Sequence, residues 1–114
     1  MRIGELAKRA GLTAYTLRYY ERIGLLPYAS RGVSGMRDYD ESILGWIEFL
    51  GRLKTTGMPI RDMLRYAELR TIGASTMIER RELLEKHRDH IRVRLSELQT
   101  CLQVLDTKIT GYSN

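Results

Sequence analysis

Residues 3–26 read IGELAKRAGLTAYTLRYYERIGLL. Ile3, Leu6, Ala7 and Ala10 recur at helical spacing, which gives one buried face. Gly11 supplies the permissive backbone that a sharp turn needs. Thr13 is then a good N-cap for a second helix carrying Leu17, Tyr20 and Ile23 on its inner side. Gly24 reads as the C-cap. Two helices joined by about three residues that include a glycine make a helix-turn-helix unit.

Beyond this unit the helical pattern breaks. Residues 27–39, PYASRGVSGMRDY, hold the turn formers Pro27, Gly32, Ser34 and Gly35, with Val33 and Tyr39 as strand-favouring residues. A short β-hairpin, or wing, is expected. Asp40 is expected to cap a third helix through Ile43, Leu44, Trp46, Ile47, Leu50 and Leu53, ending at Gly57. Pro59 suits the first turn of a fourth helix over 60–70 that buries Ile60, Met63, Leu64 and Ala67. Residues 71–76, TIGAST, read as a hinge. From Met77 a heptad follows: Met77, Leu84, Ile91, Leu98 and Leu105 form one set, and Arg81, Arg88, Leu95, Leu102 and Ile109 the other. Apolar seven-residue steps indicate a coiled coil. About 33 helical residues at 1.5 Å each give a rod of about 50 Å. Such a stripe needs packing to be stable. A helix folded back on its own domain is the alternative, but a small head cannot cover so long a stripe, so a partner chain is expected. The division is thus 1–70 helix-turn-helix head, 71–76 hinge, 77–110 dimerisation helix and 111–114 tail.

The chain has 114 residues, one cysteine and a formal charge of +5. Residues 1–39 hold seven Lys/Arg against three Asp/Glu, so most of the excess lies at the front. A basic head suits an acidic partner such as nucleic acid. One cysteine cannot build a disulfide within the chain or a multi-thiolate site. No run approaches the roughly 18 apolar residues of a membrane span, and the N-terminus has no apolar core of a secretory signal. A cytoplasmic protein without membrane association or cofactor is expected. There is no nucleophile–base set, no phosphate-cradling glycine loop and no paired acids at meaningful spacing, so enzymatic chemistry is not expected.

With Leu17 and Tyr20 inward, Tyr15, Arg18, Tyr19 and Arg22 fall on the outer face of the second helix. Cations there can meet phosphates or guanine edges, and phenols can donate to phosphate oxygens. Thr13 sits at the helix start, where free N–H groups favour an anion. Each tyrosine could instead cover the core, the favoured reading for Tyr20; Arg22 reads as a solvated charge. In an alternating hairpin Arg37 and Tyr39 share a face, free to grip the backbone beside the groove, with Arg31 a further candidate. Lys54 is a weaker phosphate candidate.

The motifs IGELAKRAG, LRYYERIGLL, GMRDYD and LKTTGM occur in that order. Together they resemble the MerR family of bacterial transcription regulators over about residues 1–70, and the heptad helix is similar to that family's dimerisation helix. The resemblance implies a mainly α protein, with a winged helix-turn-helix head, a short hairpin wing and a long C-terminal helix that joins two subunits as an antiparallel coiled coil. It implies binding to double-stranded promoter DNA as a homodimer. It further implies distortion of an overlong promoter spacer, so that RNA polymerase is affected through DNA shape. Carried over by position, Thr13, Tyr15, Arg18, Tyr19, Arg37 and Tyr39 would lie at the DNA. Leu84, Ile91, Leu95, Leu98, Leu102, Leu105 and Ile109 would form the dimer seam. A DNA-bending protein without inducer-dependent output is the alternative function.

Family members bind inducers near the joint or in a C-terminal domain, and a chain ending at Asn114 is expected to lack a large ligand-binding domain. A small-molecule inducer is possible but unidentified. Metal-sensing members carry cysteines at the start of the long helix; here that segment is Gly73-Ala74-Ser75-Thr76, and hydroxyls are poor ligands for soft ions. His87 and His90 read as surface histidines. IEFLGRLKTTGMPI, residues 47–60, resembles the subgroup that answers aldehydes and other electrophiles, but Gly51 and Arg52 stand where its reactive cysteine is found. Cys101, flanking the seam, reads as a packed, inert thiol.

Overall fold

The structure, a computed structural model, describes residues 1–27, 29–32 and 35–113. It is mainly helical: α1 (Ile3–Ala10), α2 (Ala14–Ile23), a hairpin of β1 (Ser30–Arg31) and β2 (Arg37–Asp38), α3 (Ile43–Thr55), α4 (Ile60–Ile72), a 3-10 turn (Ala74–Thr76) and α5 (Met77–Gly111). The chain divides into two compact units, Met1–Arg80 and Arg81–Asn114. Among the described residues no helix is long and apolar enough to cross a membrane.

In the first unit the α1–α2 turn follows from its glycine. Gly11 takes a left-handed φ of 69°, and the next residue, Leu12, donates its N–H back to the Ala7 carbonyl at 3.0 Å. Thr13 Oγ1 caps α2 by accepting the Thr16 N–H at 3.0 Å. Gly24, at φ 95°, ends that helix, and Leu25 N–H donates to the Tyr20 carbonyl. Leu6 and Leu17 are fully buried, and Leu25, Leu26, Trp46, Ile47, Leu50, Leu53, Met58 and Met63 complete the core. Trp46 ties the turn after α2 to α3 through an Nε1–H donated to the Leu25 carbonyl at 2.8 Å. It also stacks on Tyr66 of α4 at 5.9 Å and carries the Arg70 guanidinium over its ring at 4.4 Å.

Three local expectations change. Asp40 does not start α3 directly: its carboxylate accepts the Ser42 N–H at 2.8 Å and its carbonyl the Ile43 N–H, so it fixes the turn that leads into the helix. α4 extends through Ile72 and buries Leu69, so the expected hinge contracts to Gly73 and the 3-10 turn. Ile60 is exposed rather than core, because α4 starts there and its inward face begins only at Met63. The hairpin pairs Ser30 with Asp38 and Arg31 with Arg37; Val33 and Ser34, read as wing residues, lie outside the described residues.

In the second unit α5 carries the heptad stripe. Leu84 and Ile91 are half-buried, while Leu95, Leu98, Leu102, Leu105 and Ile109 are 54–62% exposed. His87 is buried, not a surface histidine, whereas His90 is exposed. Cys101 is exposed in the single chain, so the packed thiol expected from its heptad position is not present without a second helix.

Candidate nucleic-acid interface

The outer face of α2 is set by its inner one. Leu17 is fully buried, so the residues around the far side of the helix point to solvent. Tyr15 is 72% and Tyr19 42% exposed, and Arg18 and Arg22 are exposed beside them. The Arg22 guanidinium sits 5.4 Å from the centre of the Tyr19 ring, a cation–π pair. Arg22 is therefore not a loose solvated charge but part of an aromatic-cationic cluster. Tyr20 is half-buried, with its ring 6.3 Å from that of Tyr19. Thr13 is exposed, but its hydroxyl accepts from the Thr16 N–H and donates to Thr16 Oγ1 at 3.0 Å. Its function in the structure is capping: it satisfies the Thr16 N–H at the start of α2.

The wing is attached to α2 by one carboxylate. Glu21 is 2% exposed and accepts three hydrogen bonds: Arg37 Nε at 2.9 Å, the Tyr39 hydroxyl at 2.7 Å and the Ala29 N–H at 3.0 Å. Burial alone would push the Glu21 carboxyl up. The Ala29 N–H, the Tyr39 hydroxyl and the Arg37 charge outweigh that and hold it below the ordinary carboxylate value. The Tyr39 phenol is pushed well above its usual range by its own burial, and further by bonding to the charged Glu21.

These bonds correct the reading of Tyr39. Arg37 and Tyr39 do share a face, but it is turned toward Glu21, and Tyr39 is only 4% exposed. It is an anchor rather than a free gripping residue. Arg37 keeps a partly exposed side chain, 28%, beyond its bond to Glu21. Arg31 is exposed and donates to the Gly35 carbonyl across the hairpin end. Lys54 is exposed on a cleft with Arg9, Leu12, Tyr20 and Ile47, between α1, α2 and α3. Glu21 was missed by sequence reasoning. Its signal was its register: it lies one turn from Leu17 on the inner stripe, where an acid must find donors. Among the described residues, no group of three or more His, Cys, Asp or Glu side chains is placed to hold a metal ion.

A helix-turn-helix pair, a hairpin clasped to its second helix and an exposed face of arginines and tyrosines define the class: a winged helix-turn-helix protein. The model of the MerR family regulatory protein matches residues 2–39. The HTH-type transcriptional regulator AdhR of Bacillus subtilis is 44% identical over 91 residues, 80% of this chain and 65% of that one. The chain thus spans about two thirds of that relative's length. An uncharacterized HTH-type transcriptional regulator of Haemophilus influenzae is 38% identical, over 93% of this chain and 78% of that protein. Two solved structures are similar as well. A putative MerR family transcriptional regulator from Listeria monocytogenes has a TM-score of 0.92 at 37% identity, covering 100% of this chain and 86% of its own. HiNmlR, a MerR family regulator lacking the sensor domain and bound to promoter DNA, has a TM-score of 0.85 at 36% identity, covering 98% and 89%. The chain belongs to the MerR family.

Proposed function

We propose that this MerR-family protein binds a promoter operator as a homodimer and distorts the duplex to control transcription initiation. The observation that carries the reading is the exposed face of α2, where Tyr15, Arg18, Tyr19 and Arg22 stand together over a fixed core. The solved complex of HiNmlR with promoter DNA supports the same ligand for this chain. In this assignment α2 enters the major groove, Arg18 and Tyr19 meet base edges or phosphates, Tyr15 and the Thr13-capped helix start meet phosphate, and Arg37 of the wing grips the flanking backbone. Lys54 is a further phosphate contact.

The dimer follows from α5, whose exposed apolar stripe is the kind of surface a second helix covers. The DNA-binding head, expected over 1–70, then runs to the end of α4, with 73–76 as hinge, 77–110 as dimerisation helix and 111–114 as tail. Two heads on one stiff rod hold their recognition helices at a set separation. Where that separation does not match straight B-DNA, binding must bend or untwist it, at a cost of about 1–6 kcal/mol offset by added contacts. Polymerase is then affected through DNA shape. An inducer acts only by favouring one dimer geometry over another.

The test is binding to a duplex that the wild-type chain selects from a random pool, together with transcription from a promoter carrying it. Arg18→Ala should weaken binding by roughly ten- to hundredfold, as for one lost specific contact. Unchanged affinity would remove α2 from the interface. Binding with no change in transcription would leave an architectural DNA-bending role.

A further inference from the structure

A carboxylate is an odd component for a DNA-binding surface, where it repels phosphate. Glu21 nevertheless lies in the recognition helix itself, three residues after Arg18 and one before Arg22. It is shielded from solvent, and all three of its donors come from the segment 29–39. They reach it from both arms of the hairpin: Ala29 before β1, Arg37 within β2 and Tyr39 after it. Glu21 is thus the side chain by which α2 holds the wing; the second arm is held separately at the chain start, where the Met1 ammonium donates to Asp38 Oδ1 at 3.1 Å and to the Tyr39 carbonyl at 2.6 Å. The Arg37 bond has a further feature. It uses Nε, and among the described residues neither Nη of Arg37 has a hydrogen-bond partner. A guanidinium is a rigid planar fork, so fixing Nε fixes where the two Nη groups point.

We propose that Glu21 is a positioning residue for DNA binding: it clasps the wing to the recognition helix and, through Nε, steers the Arg37 guanidinium so that its Nη groups are presented to a backbone phosphate. This rests on the DNA-binding reading given above. Glu21 never touches DNA. It neutralises part of the wing's charge in the free protein, and in exchange it holds Arg37 in one orientation before DNA arrives. That spares the rotamer freedom a loose arginine loses on binding.

The experiment measures binding of the full chain to the duplex selected by the wild type, across a salt series. Arg37→Ala should remove one phosphate contact, lowering the slope of log affinity against log salt by about 0.9. Glu21→Gln should lower affinity by roughly ten- to hundredfold, the worth of one charge-assisted bond, and lower the slope by the same amount as Arg37→Ala. Combining the two substitutions should cost no more than Arg37→Ala alone. A merely structural Glu21 would reduce the active fraction at unchanged slope, and its loss would add to that of Arg37→Ala. Either result overturns the proposal. Should Glu21→Gln fail to fold by circular dichroism, Arg37→Lys carries the test, because one ammonium cannot hold Glu21 and a phosphate with a fork. A slope lowered as in Arg37→Ala supports the steering, and a wild-type slope overturns it. Wild-type affinity in Arg18→Ala would instead overturn the DNA-binding reading, and the clasp with it.

Discussion

Leu98→Asp places a carboxylate in the middle of the apolar stripe of α5. Leu98 is 55% exposed in the single chain, so about half of its burial remains to be gained against a partner. Full burial of a leucine is worth about 1.5–3 kcal/mol, which leaves about 1 kcal/mol per copy and about 2 kcal/mol for a symmetric dimer. The aspartate removes that gain. It also forces two carboxyl groups either to lose their hydration or to take up protons, at a cost of a few kcal/mol more. A total of about 5 kcal/mol corresponds to a dimer weakened about 10³- to 10⁴-fold. Leu98→Ala removes only the burial and should weaken it about 30-fold. Sedimentation equilibrium over a concentration series measures both. A Leu98→Asp chain with the wild-type dissociation constant would refute the seam, as would a wild-type chain found as single subunits throughout.

Three further outcomes are expected. Thr13→Ala should cost about 0.5–2 kcal/mol of thermal stability through the lost N-cap of α2; an unshifted melting curve would mean that the cap contributes nothing. Glu21 is held below its ordinary pKa, so its stabilisation is complete above the unfolded carboxylate value of about 4.3 and is lost as pH falls through the lower folded value. Urea melts of wild type and Glu21→Gln should therefore converge in acid, and parallel acid limbs would contradict the assignment. Cys101→Ser should leave dimerisation, DNA affinity and any induced response intact, since the thiol is exposed and borders the seam rather than forming it; loss of any of these would give Cys101 a role.

Most of the architecture is readable from local chemistry. Gly11, Thr13 and Gly24 mark the ends of α1 and α2 because turn and cap geometry depend on residues a few positions apart. The outer face of α2 follows from Leu17 and Tyr20 on its inner side. What escaped depends on contacts between segments distant in sequence. Glu21 and Tyr39 are 18 residues apart, and nothing local to either reveals that the acid takes the phenol as a donor. Alternation placed Arg37 and Tyr39 on one face correctly, but alternation has no sign: it cannot say whether that face meets DNA or the protein. Arg22 looked idle because its partner is an aromatic ring, which a count of charges overlooks. The hinge was drawn from composition, yet α4 runs on through Thr71 to Ile72, with the Thr71 hydroxyl donated back to the Ala67 carbonyl at 3.1 Å.

The bonding of α2 to its hairpin bears on how such a head can be re-engineered. A hairpin grafted from elsewhere, with no donors for the acid beneath it, would strand a buried negative charge at the core of the reading surface. Helix and hairpin are consequently heritable only as a matched set, and altered operator preference is more readily reached by exchanging outward residues such as Tyr15 or Arg18 than by swapping the hairpin as a module.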